Sequence, residues 1–246
     1  VTENKTNKED EKASWMEILP YFNAIPYLGL FYFCWYLNHN LLVVVWCLYV
    51  LTPILDVFLK LDENNLSKRA SKSYEKDKRF LIPLYTFWTL NFMNYFWCIY
   101  TFTYADFHGV IDRIVFVFTA SQLGNLGMVV GHELLHRKEL VHKVFGTLCY
   151  SKVLYSHFFI EHVKGHHKNV ATPMDPAYAE YGESLYHFVP KSFLGSYKSV
   201  WNYEQNRLNK KKVPEVINIL KNRLVLFNIG HISWISSVTY FLGYKA

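Results

Sequence analysis

Four stretches of the chain carry no Asp, Glu, Lys or Arg: residues 18–55, 80–105, 114–131 and 224–244. Charged residues crowd into the segments between them, so the polarity alternates on the scale of whole helices. A helix of about 20 apolar residues crosses the hydrocarbon core of a bilayer. The first stretch is too long for one crossing, and Asn38-His39-Asn40 interrupts it. This predicts a hairpin of spans over 18–37 and 41–59. Two more spans are predicted over 80–105 and 113–131, joined by the polar turn Asp106–Asp112, and a further one over 224–244. Pro26, Pro53 and Pro83 fall inside these spans, where neighbouring helices satisfy the carbonyls that proline frees. The expected fold is all-α: a polytopic membrane helix bundle of about five spans with a helical cap. Its parts are a polar tail (1–17), a four-span bundle (18–131), a polar block (132–223) forming the cap, and the last span (224–246).

Charge orients this topology. The tail, the loop 60–79 and the block 132–223 all fall on one side. The loop holds Lys60, Lys68, Arg69, Lys72, Lys76, Lys78 and Arg79, and the block holds Lys210-Lys211-Lys212. Basic loops stay on the cytoplasmic side, so the cap is expected to face the cytoplasm or its organellar equivalent. The net charge of +6 is then accounted for by orientation and anionic headgroups, and nucleic acid is not an expected partner. Cys34, Cys47, Cys98 and Cys149 form no C-x-x-C pair, which signals neither a thiolate metal site nor a redox disulfide. The segment before residue 18 is too polar for a cleavable signal peptide, and a chain beginning at Val1 points to a processed or incomplete N-terminus.

The candidate chemistry lies in the cap. Seven of the eleven histidines fall between 132 and 167: His132, His136, His142, His157, His162, His166 and His167. On an α-helix His132 and His136 project from one face, as do His162 and His166 in EHVKGHH (161–167). His167 is expected to turn about 100° away from its neighbour. Two facing helices bring five imidazoles together, and imidazoles beside hydrocarbon are costly unless they coordinate a metal or pair. A satisfied polar helix face is the plainer alternative.

His132-Glu133-Leu134-Leu135-His136 also fits H-E-x-x-H, the zinc-peptidase helix with its glutamate as base. Zinc catalysis takes three protein ligands and an open position, and five imidazoles exceed that. The surplus of nitrogen ligands suits non-haem iron better. A zinc peptidase remains a minor alternative.

GHELLHRK (131–138) and HFFIEHVKGHHKNVATPMDPAYAEYGESLYHF (157–188) resemble the membrane alkane 1-monooxygenases (alkane ω-hydroxylases), and WNYEQNRL (201–208) does so more loosely. Those enzymes belong to the histidine-box superfamily of membrane di-iron hydroxylases and fatty-acid desaturases. The resemblance runs over roughly 20–245 and is strongest at 125–208. It implies a helical membrane fold of six spans with a cytosolic di-iron site over the bundle. His132 and His136 match the first histidine box; His162, His166 and His167 match the second. His142 and His157 fall outside the boxes and are expected at the surface or behind the ligands. Asp175 in ATPMDPA and Glu183 in GES are candidates to orient ligating imidazoles, because such ligands donate their other N–H to a carboxylate or carbonyl. An ordinary loop salt bridge is the competing reading of both.

The activity implied is O2-dependent hydroxylation of an alkane or fatty-acyl C–H bond, with two Fe ions as cofactor. An apolar chain is the substrate, and a rubredoxin- or ferredoxin-like donor supplies electrons at the basic face. Phe31, Phe33, Trp35, Phe87, Trp88, Phe92, Phe96 and Trp97 are rings that either enclose such a chain or simply pack the spans. The sequence departs from the family toward its end. Further histidine boxes are expected there, one N-Y-x-E-H-Y-G-like and one H-x-x-H-H-like, yet His187 and His231 are the histidines after His167 and neither sits in a box. The chain therefore reads as part of a longer or split oxidoreductase. The other reading is a non-catalytic scaffold subunit among further membrane subunits.

Overall fold

A computed structural model describes residues 13–37, 40–59 and 66–243. Most of the polar tail, the Asn38-His39 interruption, and Lys60 of the charge argument lie outside the described residues. Within them the structure is helical, without strands. We number the main helices α1 (Ile25–Leu37), α2 (Leu42–Leu59), α3 (Lys68–Lys76), α4 (Leu81–Tyr104), α5 (Val110–Leu135), α6 (Leu140–Ser151), α7 (158–169), α8 (Leu185–Lys210), α9 (Glu215–Lys221) and α10 (Arg223–Leu242).

α2, α5 and α10 are both long and apolar enough to cross a membrane. α4 is long enough at 24 residues and carries no charge, but its asparagines, threonines and tyrosines lower its hydropathy. The first predicted span is the one that differs. Instead of one helix from residue 18, Trp15–Ile18 is a single α-turn, Leu19–Phe22 is 3-10, and α1 begins only at Ile25. Pro20 and Pro26 explain the breaks, because each removes a backbone donor from the helical ladder. α2 widens to a π-turn over Cys47–Leu51 just before Pro53, and Thr52 Oγ1 donates to Cys47 O at 2.8 Å. Cys47 O thus accepts both the backbone N–H and the hydroxyl of Thr52.

The chain divides into two compact units, residues 1–127 and 128–246. In the first, edge-to-face rings make the core. Phe31 and Trp35 of α1 meet Trp97 of α4 and Phe116 of α5, with centroids 5.0–6.0 Å apart. Phe31, Trp35 and Phe87 are buried, whereas Phe33 and Phe96 are more than half exposed, so the aromatic set named from the sequence splits between core and outward faces. Asn91 on α4 donates to Leu123 O on α5 at 2.9 Å, a hydrogen bond across two membrane helices.

The second unit holds the end of α5 and everything after it. α5 and α6 cross closely at two glycines: a Cβ on Gly131 would lie 2.7 Å from Cys149 Cβ, and one on Gly146 would lie 2.8 Å from Gly131 O. Tyr150 OH adds a bond to Met128 O at 3.1 Å. Ile160, Val200 and Leu224 form a buried cluster that ties α7, α8 and α10 together. Beside it Glu204, fully buried on α8, accepts from Arg207 and Arg223 and from the Arg223 backbone N–H at 3.0 Å. With the Asn222 side chain on Leu224 N, it caps the start of α10.

Candidate metal centre

The centre is built from two short lengths of chain in the second unit. The Gly131–Gly146 crossing fixes the last turn of α5, which presents His132, with His136 immediately beyond. The other contribution comes from α7, whose central part Glu161–His166 is wound as a π-helix. A π-turn bonds i to i+5 and is frequent at functional sites.

This winding changes which histidines meet. On an α-helix His162 pairs with His166, and His167 points elsewhere. In the structure His162 Nε2 lies 3.0 Å from His167 Nε2 and 3.1 Å from His136 Nε2, while His136 Nε2 is 3.2 Å from His132 Nε2. The residue five places on, rather than four, joins the cluster. His166 is turned away, and its Nδ1 sits 2.8 Å from Asp175 Oδ2. Its ring stays near, with centroids 5.5 Å from His162 and 5.7 Å from His167.

Successive Nε2 atoms in the series His132, His136, His162, His167 lie 3.0–3.2 Å apart, the spacing of neighbouring ligands in a coordination polyhedron. Nitrogens about 2.1 Å from a common ion at right angles lie about 3 Å apart. His132, His136 and His162 by themselves bring ligand atoms within 4.8 Å of one another. Electrostatics favour lone pairs over protons here. Burial, and then His132, His167, His136 and His166, push the His162 imidazole down to about 4. His136 is lowered by burial and then by His132 and His167. The donor set and spacing thus fit a divalent transition ion preferring imidazole, iron or zinc among them.

Around this core, Phe158 lies flat against His162, centroids 4.9 Å apart and planes at 16°, and Tyr150 stacks on Phe158 at 4.4 Å. Asp175 is buried, and its Oδ1 accepts from Ala177 N–H at 2.9 Å, so the carboxylate facing His166 is fixed from behind. Glu183 meets none of the five candidate ligands. It binds His187 Nδ1 at 2.5 Å and Lys191 Nζ at 2.6 Å, and Lys191 first, then the Glu180 backbone and His187, holds it down at about 2 against its partial burial. Glu133, the would-be peptidase base, is 3.7 Å from His132 Nδ1, the nitrogen opposite to the one in the cluster.

Of the two places expected for His157, at the surface or behind the ligands, the structure excludes the surface: the residue is almost fully buried, and burial together with His231 pushes its imidazole down to about 4. Glu161 is buried with neither carboxylate oxygen bonded, and burial raises its pKa. It lies so close to Gly165 that a Cβ there would strike the carboxylate. Glu161, Lys164, Lys198 and Asn202 line a polar cavity of about 660 Å³ that none of the five candidate imidazoles borders. Nothing in the sequence pattern marks the burial of Glu161 except its place beside the second box.

A helical membrane protein with a convergent histidine centre is the class that fold and site define. The fatty acid desaturase family model matches residues 113–246, more than half of the chain and all of the centre. The chain belongs to that family. Among curated relatives it is similar to alkane 1-monooxygenase 1 of Alcanivorax borkumensis, with 32% identity over 193 residues, 76% of this chain and 46% of that protein. It is also similar to the alkane 1-monooxygenase of Pseudomonas putida, with 28% identity over 208 residues, 82% and 50% of the two chains. That of Ectopseudomonas oleovorans is 31% identical over 180 residues, 72% and 43%. The chain spans about half the length of these relatives.

Proposed function

We propose that the chain carries the first metal-binding half of an iron-dependent membrane hydroxylase, which inserts oxygen from O2 into a C–H bond of an alkane or fatty-acyl chain. The observation that carries this reading is the series of Nε2 contacts at 3.0–3.2 Å that links His132, His136, His162 and His167; the relatives' printed activity supports oxygen insertion and an apolar substrate.

His132, His136, His162 and His167 hold one iron. His166, with Nδ1 donating to Asp175, keeps its Nε2 lone pair for a second, an arrangement common among metal-bound imidazoles. One ion is well supplied. The second has a single imidazole from this chain, so we assign its remaining ligands to further polypeptide, in the same protein or in a partner subunit. When bound, the irons supply O2 reduction and C–H oxidation. The chain's own residues orient the imidazoles, and a rubredoxin- or ferredoxin-like donor reaches the site from the polar side of the spans. The cytoplasmic or equivalent side is the one the basic loops select. Asp175 is the proposed orienting carboxylate, and Glu183 the weaker candidate given its partners.

The test is hydroxylation by the native membrane complex, supplied with a reduced donor protein, 18O2, and medium-chain alkane or fatty acid. The reading expects 18O-labelled alcohol, lost at least 100-fold in His162→Ala. Unlabelled substrate recovered from an iron-loaded complex contradicts it.

A further inference from the structure

The chain enters α7 through a turn, residues 151–157, that is bonded to three helices by buried polar groups. Ser151 Oγ donates to Thr147 O at 3.0 Å, which uses its one hydrogen. Ser151 therefore accepts from Ser156 Oγ at 2.7 Å, and Ser156 accepts in turn from His231 Nε2 at 2.8 Å. The chain of bonds runs His231 to Ser156 to Ser151 to Thr147, from α10 through the turn to α6. A parallel set binds the turn to α8. Ser196 Oγ donates to Phe193 O at 2.9 Å and accepts from Tyr155 OH at 3.1 Å and His157 Nε2 at 3.3 Å. Ser156, His157, Ser196 and His231 are all buried.

A buried polar group in a membrane span is costly unless it is bonded, and His231 is one of the few on α10 that reaches outside its own helix. What it reaches is the residue two before Phe158, and Phe158 lies flat on His162. Tyr150, on the other side of the same turn, stacks on Phe158. A shift of the turn thus moves the face against which His162 packs, and His162 is the imidazole with Nε2 contacts to both His136 and His167.

We propose that His231 is a positioning residue for the histidine centre: through Ser156 it fixes the turn whose Phe158 ring sets the orientation of His162. α10 thereby controls the geometry of a ligand 69 positions earlier in the chain. The proposal rests on the metal-binding reading of the cluster.

The test is Co(II) titration of the chain in nanodiscs, following the ligand-field bands. His231→Phe removes the donor and keeps a flat ring; His231→Gln restores an N–H donor; Phe158→Leu removes the ring face directly. His231→Phe and Phe158→Leu are expected to weaken Co(II) binding at least tenfold, within the 10–100-fold range of groups behind ligands, and to shift the bands in the same direction. His231→Gln is expected to restore both to within about threefold. Wild-type affinity and bands in His231→Phe overturn the proposal. So does a His231→Gln variant that loses metal as fully as His231→Phe, since that marks a packing role alone. Failure of the metal-binding reading is told apart by the wild-type chain, which then shows no imidazole-type bands; the positioning role falls with it.

Discussion

At the residue scale, five imidazoles were legible from spacing and motif, but not the way they divide. The periodicity argument assumes 3.6 residues per turn and groups His162 with His166. The π-winding of Glu161–His166 groups His162 with His167 instead, and no propensity in EHVKGHH signals it. Gly165 is its one visible correlate, since a side chain there would collide with the buried Glu161 carboxylate. Ala171 is a second hidden feature. It holds φ at 63°, a left-handed conformation that costs a non-glycine residue about 1–2 kcal/mol, in the turn that leads the chain back to Asp175 and His166. The division of the imidazoles is testable in the chain alone. Loss of a direct ligand should exceed the 10–100-fold effect of an outer group. His167→Ala and His162→Ala are therefore expected to weaken binding of the first Fe(II) or Co(II) by more than about 100-fold. His166→Ala is expected to change it by less than about threefold. A competition titration with a chromophoric chelator reads all three, and equal losses for His166→Ala and His167→Ala contradict the π-grouping.

At the element scale, the uncharged stretches predicted helices that the structure contains, with bounds moved by proline at the first span. The polar clamp between α8 and α10 had no sequence signal, because Glu204 reads as one more surface charge in WNYEQNRLNKKK. Burial opposes its ionisation, yet bonds from Arg223 and then Arg207 prevail and hold it at about 2. A carboxylate with a folded pKa below its unfolded value of about 4.3 stabilises the fold above that value and loses the contribution as pH falls through about 2. Glu204→Gln is accordingly expected to cost about 3 kcal/mol of unfolding free energy at pH 7, given the penalty for breaking a buried ion pair. The difference between wild type and variant should shrink steadily between pH 4.5 and 2. Denaturant unfolding in mild detergent measures it, and a gap that is constant over that range contradicts the assigned ionisation.

At the scale of the whole molecule, composition alone declared a membrane protein, and two histidine boxes with their flanking residues declared the family, to which the match over 113–246 assigns the chain. The three-dimensional convergence of distant boxes was not legible, since it depends on the Gly131–Gly146 crossing and on the π-turn rather than on any local pattern. The number of ions follows from ligand count. His132, His136 and His162 bring ligand atoms within 4.8 Å of one another, His167 Nε2 joins them 3.0 Å from His162 Nε2, and His166 is turned to Asp175 beside them. The most direct test of this centre is iron K-edge X-ray absorption on the purified chain loaded with Fe(II). The expected spectrum has a first shell containing about four imidazole nitrogens near 2.1 Å, with the outer-ring scattering of histidine and no iron–iron vector. An iron–iron vector at full occupancy, or a first shell without histidine scattering, contradicts the single-ion histidine centre.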